Sequence, residues 1–135
     1  MLLRNACPED FPAIRDLAGR LNLAYEGMER DLFWIAEDET RIIGHVGLKR
    51  HSDSDELVGL GVDPDRRSAG LGGLLIEALW AETSGDVYLA TVIPGFFERY
   101  GFRPTVAGPA GMAKDPAWCE GCPRERCTIM IRERR

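Results

Sequence analysis

Residues 56–79 read ELVGLGVDPDRRSAGLGGLLIEAL, and the rest of the chain is arranged around them. Leu57, Val58, Leu60 and Val62 form a short apolar run with strand character. Asp63-Pro64 stops it, because proline has no N–H to give a ladder. A glycine-rich stretch from Arg67 to Gly73 follows, and apolar residues then recur at Leu71, Leu74, Leu75, Ala78 and Leu79. That spacing, i, i+3, i+4, i+7 and i+8, predicts one buried face of an amphipathic helix. A helix opening straight after a glycine-rich turn presents unpaired backbone N–H groups at its positive end, which suits an anion and above all a phosphate.

Two common phosphate motifs are excluded. No lysine or hydroxyl follows Gly72-Gly73, as a P-loop requires, and the sixth position counted from Gly70 is Leu75 rather than glycine. Arg67-x-x-Gly70-x-Gly72 after a strand ending in Val62-Asp63-Pro64 resembles the acetyl-CoA pyrophosphate loop of the GCN5-related N-acetyltransferase (GNAT) family. The alternative is an ordinary strand-to-helix turn whose glycines serve packing.

A length of 135 residues suits one domain over 1–135 with a real core, and 44% hydrophobic and 29% charged residues are ordinary globular values. The net charge of −5 argues against nucleic acid or an anionic membrane as the main partner. No apolar run reaches the length of a membrane span and the amino terminus shows no signal-peptide pattern, so a cytoplasmic protein is expected. The four cysteines then read as thiols rather than a disulfide framework.

In chain order, Met1 to Ala6 predicts a strand, and Cys7-Pro8-Glu9-Asp10 starts a helix with proline and acids in its first turn, though cysteine is a poor N-cap. Phe11, Ile14, Leu17, Ala18 and Leu21 mark its buried face. Tyr25 to Asp31 reads as a short second helix. Strands follow at Phe33–Ala36 and Ile42–Leu48 around the polar turn Asp38-Glu39-Thr40, and then the central strand after the polar loop from His51 to Asp55. Beyond the loop helix come a strand at Val87–Ile93, a short helix at Phe96–Tyr100 ended by Gly101, a Pro- and Gly-rich tail, and a last strand at Cys127–Ile131.

This order gives an α+β fold, a mixed and mostly antiparallel central sheet with helices on both faces, and it is similar to the GNAT fold over nearly the whole chain. A second signature, Phe96-Phe97-Glu98-Arg99-Tyr100-Gly101-Phe102, resembles the family's aromatic-x-x-x-Gly-Phe segment. The resemblance implies an acetyl-CoA-dependent N-acetyltransferase in which a small amine attacks directly in a ternary complex, with no metal required. It implies that Leu60 and Val62 pair their backbones with the pantetheine arm, and that the Val62 N–H polarises the thioester carbonyl. The pyrophosphate falls to Arg67, Ser68, Ala69, Gly70, Leu71, Gly72 and Gly73, with Arg66 as an added charge. Phe97 takes the position where many members carry a tyrosine that protonates the leaving thiolate; Tyr88 and Tyr100 are the other hydroxyls within reach in sequence.

For the base, Glu56 is the first candidate, because it opens the central strand and could act through water; a solvated strand-end acid is the alternative. Glu26 and Glu29 come next. His45 and His51 have a suitable intrinsic pKa, but His45 lies mid-strand and reads as structural. Cys119, Cys122 and Cys127 could bind zinc with a fourth ligand or simply pin a loop. This cysteine-rich tail looks like a branch of amino-acid acetylating enzymes, including the catalytic domain of N-acetylglutamate synthase and arsenic-resistance acetyltransferases. That resemblance implies an amino-acid-like acceptor whose carboxylate meets Lys49, Arg50 or Arg99. The expected partners are the amine substrate and a second copy in a homodimer. A non-catalytic acyl-CoA-binding sensor and a cysteine-based metal or redox module are the rival functions.

Overall fold

A computed structural model describes residues 1–52, 54–106, 108–109 and 127–134, with the backbone alone at 67–69. The chain forms two compact units, Met1–Lys49 with Leu57–Glu82 and Arg50–Glu56 with Thr83–Arg135. The strands are β1 (Leu2–Asn5), β2 (Leu32–Asp38), β3 (Arg41–Arg50), β4 (Asp55–Val62), β5 (Val87–Thr91), β6 (Arg103–Pro104) and β7 (Thr128–Arg132). Their hydrogen-bonded order is β1-β2-β3-β4-β5-β7-β6. The β4–β5 pair is parallel, whereas β1–β2, β2–β3, β5–β7 and β6–β7 run antiparallel. The α+β, mostly antiparallel architecture expected from the sequence is the one observed. Among the described residues, no helix is long and apolar enough to cross a membrane.

In the first unit, the period of two along each strand sends alternate side chains to opposite faces. Phe33 lies opposite Gly47, and Ile35 opposite His45. These residues face helix α1 (Phe11–Arg20), whose Ile14 and Ala18 join Phe33, Ile35 and Met28 in a buried cluster. Gly47 is required there, because a Cβ would stand 2.6 Å from the Phe33 ring. The other register, Trp34 opposite Val46 and Ala36 opposite Gly44, faces helix α2 (Leu71–Ala81). A Cβ on Gly44 would sit 3.1 Å from Leu75 and 3.3 Å from Leu71. Helices thus cover both faces, and each fully buried leucine contributes about 2 kcal/mol.

Several boundaries differ from the sequence reading. The first helix begins as one 3-10 turn, Pro8–Asp10, and the poor cap at Cys7 is compensated from the other side. Asp10 reaches back to accept the Cys7 N–H at 2.8 Å, and the Arg4 guanidinium holds that carboxyl well below the usual carboxylate range. The stretch from Tyr25 to Asp31 is not a full helix but a single 3-10 turn, Met28–Arg30, entered through Gly27 at φ 80°. On α2, Leu74 is exposed, and Ile76 takes the buried place assigned to it. In the second unit, β5 stops at Thr91, whose hydroxyl accepts the Ile93 N–H, and helix α3 spans Pro94–Glu98.

Candidate active site

The glycine-rich segment leaves β4 at Val62 through a buried aspartate. The Asp63 N–H closes the ladder on the Ile43 carbonyl at 2.8 Å. Its carboxylate turns back to accept the Asp65 N–H at 3.0 Å and Arg41 at 2.9 Å. Pro64 fits the first helical position, so residues Pro64–Ala69 form a 3-10 helix capped by that aspartate. Gly70 then adopts φ 71° and ψ 19°, and α2 starts at Leu71. A left-handed residue without Cβ lets the chain turn sharply from one helix into the next. Gly70 has no side chain to cap α2, and a Cβ built there would meet nothing within 4 Å. The first N–H groups of α2 thus have no side-chain cap at the positive end of a helix, the arrangement an anion needs. Leu60 and Val62 are half-buried on the strand leading into it. Arg66 is committed elsewhere: its Nη1 lies 2.6 Å from Asp38 Oδ2, and Asp38 is held below its ordinary range by that bond.

In the second unit, Glu56 is 1% exposed, which removes the reading of a solvated strand-end acid. Its Oε1 lies 3.0 Å from His51 Nε2, and Tyr88 stands opposite it on β5. Phe97 is buried in an aromatic cluster, 5.1 Å from the Phe96 ring and 6.0 Å from Phe102. Tyr100 packs on Phe96 at 5.3 Å.

Residues 29–104 match the family described as the acetyltransferase (GNAT) domain. The chain belongs to this family. Over 76 residues it is 40% identical to a mycothiol acetyltransferase of Acidothermus cellulolyticus, a match that covers 51% of this chain and 22% of that protein. The chain therefore spans about a fifth of that curated relative. Among solved structures, a Mycobacterium tuberculosis protein in complex with CoA and a second ligand superposes with a TM-score of 0.79 at 20% identity, over 100% of both chains. N-acetylglutamate synthase from Neisseria gonorrhoeae, complexed with coenzyme A and N-acetyl-glutamate, gives 0.74 at 18% identity over 98% of this chain and 35% of that one.

In this GNAT chain the remaining candidates separate by their surroundings. Glu29 is exposed and paired with Arg15, and Glu26 is exposed. Glu29 and Arg30 line a groove of about 690 Å³ with Phe11, Arg15, Asp31 and Phe33. Lys49 lies 4.9 Å over the Tyr25 ring, and the Tyr25 hydroxyl donates to Asp31 at 2.5 Å. Arg99 stacks on Phe96. His45 is fully buried and gives its Nδ1–H to the Gly59 carbonyl at 2.6 Å, and burial pushes its pKa down, in keeping with a structural histidine. Cys119 and Cys122 lie outside the described residues; Cys7 and Cys127 are exposed. Among the described residues no group of three or more potential ligands is placed to hold a metal. Sequence reasoning missed Gly44, whose bare Cα admits the start of α2, Asp63 as the cap of the loop, and His51 as the partner of Glu56. A glycine inside a strand pattern is a sign of close approach and was the available signal for Gly44.

Proposed function

We propose that the chain is a single GNAT domain over residues 1–135 that transfers an acetyl group from acetyl-CoA to the amine of a small, amino-acid-like acceptor, by direct attack in a ternary complex and without a metal. The observation that carries this reading is the start of α2 behind Gly70, which has no side-chain cap and leaves its first backbone N–H groups for an anion. The small acceptor is supported by the names of its similars, one a mycothiol acetyltransferase and one a synthase complexed with N-acetyl-glutamate.

Acetyl-CoA supplies an acetyl thioester that an amine can attack. The backbone from Arg67 to Gly73 holds the pyrophosphate, and Leu60 and Val62 extend their strand along the pantetheine. The Val62 N–H donates to the carbonyl oxygen as negative charge gathers there. Glu56 takes the proton of the acceptor ammonium through a relay water, freeing the lone pair that attacks. Phe97 contributes packing and no proton, so the departing sulfur takes its proton from water.

Glu56→Gln tests the role of the base. It removes the proton acceptor while keeping size and a hydrogen-bonding head. Turnover at neutral pH should fall about a hundredfold or more, with acetyl-CoA affinity unchanged. A wild-type rate and pH profile in this variant would place the base at another residue.

A further inference from the structure

We infer that His51 is the positioning residue for Glu56, the group that aims its carboxylate for proton abstraction; this rests on the reading of Glu56 as the base. The pairing follows from a tight turn. The His51 N–H donates to the Ser54 carbonyl at 2.9 Å, so the chain doubles back and brings residue 51 beside residue 56. The imidazole Nε2 then lies 3.0 Å from Glu56 Oε1, with the two side chains only 10% and 2% exposed.

Burial strips a carboxylate of most of the hydration that favours its charge. An N–H donor aimed at one oxygen restores that preference, and the bond fixes which imidazole nitrogen carries the proton. The polar pair also has a structural cost, since apolar residues of similar volume would fill such a place at least as well. The other ionisable groups around it are Arg50 and Asp55 in the flanking chain, Tyr88 opposite on β5, Asp86 ahead of that strand, and Arg132 opposite Val87 on β7.

The test compares His51→Leu, which removes the donor, with His51→Gln, which keeps an N–H at the reach of Nε2. Without the imidazole, the carboxylate loses a hydrogen bond that favours its charged form. His51→Leu should move the acid limb of the kcat profile upward by about one pH unit, which lowers the rate about tenfold at any pH below the limb and leaves it unchanged above. KM for acetyl-CoA should stay the same, and His51→Gln should regain most of the loss. Should His51→Leu not fold, His51→Asn, too short to reach, replaces it. A limb that stays put, a rate lowered equally at every pH, or a glutamine variant as slow as the leucine one would overturn the inference. A carbon-13 titration of the Glu56 carboxyl, assigned with Glu56→Gln, separates this from failure of the base itself. An unmoved midpoint in His51→Leu defeats the positioning role whatever the activity, whereas full activity in Glu56→Gln defeats the base.

Discussion

Truncating Asp63 should unsettle the glycine-rich loop by an amount that can be worked out from its bonds. Asp63→Ala removes the acceptor of the Asp65 N–H, a cap worth about 1 kcal/mol. It also removes the partner of Arg41, which is 62% exposed, so screening holds that pair to about 0.5 kcal/mol. Together these bring the total to about 1.5 kcal/mol. Asp63→Asn keeps an oxygen for the cap and loses only the charge, so it should cost about 0.5–1 kcal/mol. For a chain of this size these losses are melting shifts of roughly 5–8 °C and 2–4 °C. Calorimetry with acetyl-CoA should follow the same ranking, because the ligand must restore the loop; each 1 kcal/mol is about fivefold in Kd. Equal losses in the two variants would refute the reasoning, since they would show that the charge, and not the cap, holds the segment.

Two further outcomes are expected. His45 is buried with its pKa pushed down by burial, so the unfolded chain binds its proton first as pH falls. Stability is fully present above the ordinary histidine pKa of about 6.5 and should decline below it by up to about 1.4 kcal/mol per pH unit; His45→Asn, which keeps the donor to Gly59, should flatten that slope in urea unfolding at pH 5.5–7.5. Phe97→Tyr should lower the melting temperature by a few degrees and leave turnover no faster, because its hydroxyl enters a packed ring cluster; a faster enzyme would show that the para position reaches the departing sulfur.

What could be read from the chain is what strong local signals govern. Pro64, Gly70 and the apolar period of residues 71–79 each act on their own backbone, so β4, the loop and α2 were legible with nearly the observed boundaries. The buried stripe of α2 was less so. In a helix reading LGGLLIEALWA almost every position is apolar, so periodicity alone does not separate Ile76, which is buried, from Leu74, which is exposed. β6 is two residues long and contains Pro104, too little to register as a pattern. The burial of Glu56 was illegible for a different reason. An acid at a strand end is ordinarily solvated, and only the turn through Ser54 brings an imidazole to it. The left-handed pair Glu39 and Thr40 in the β2–β3 turn shows the same limit, since neither residue type favours φ near 50° or 67°.

The most direct test of acetyl transfer is the release of CoA thiol from acetyl-CoA by the purified chain against a panel of small amines and amino acids, with mass detection of the acetylated product, run beside Gly72→Val. The account predicts amine-dependent thiol release and an acceptor 42 Da heavier, abolished when the valine side chain crowds the start of α2 in a folded protein. Thiol release that no amine accelerates, or a Gly72→Val variant as active as the wild type, would contradict it.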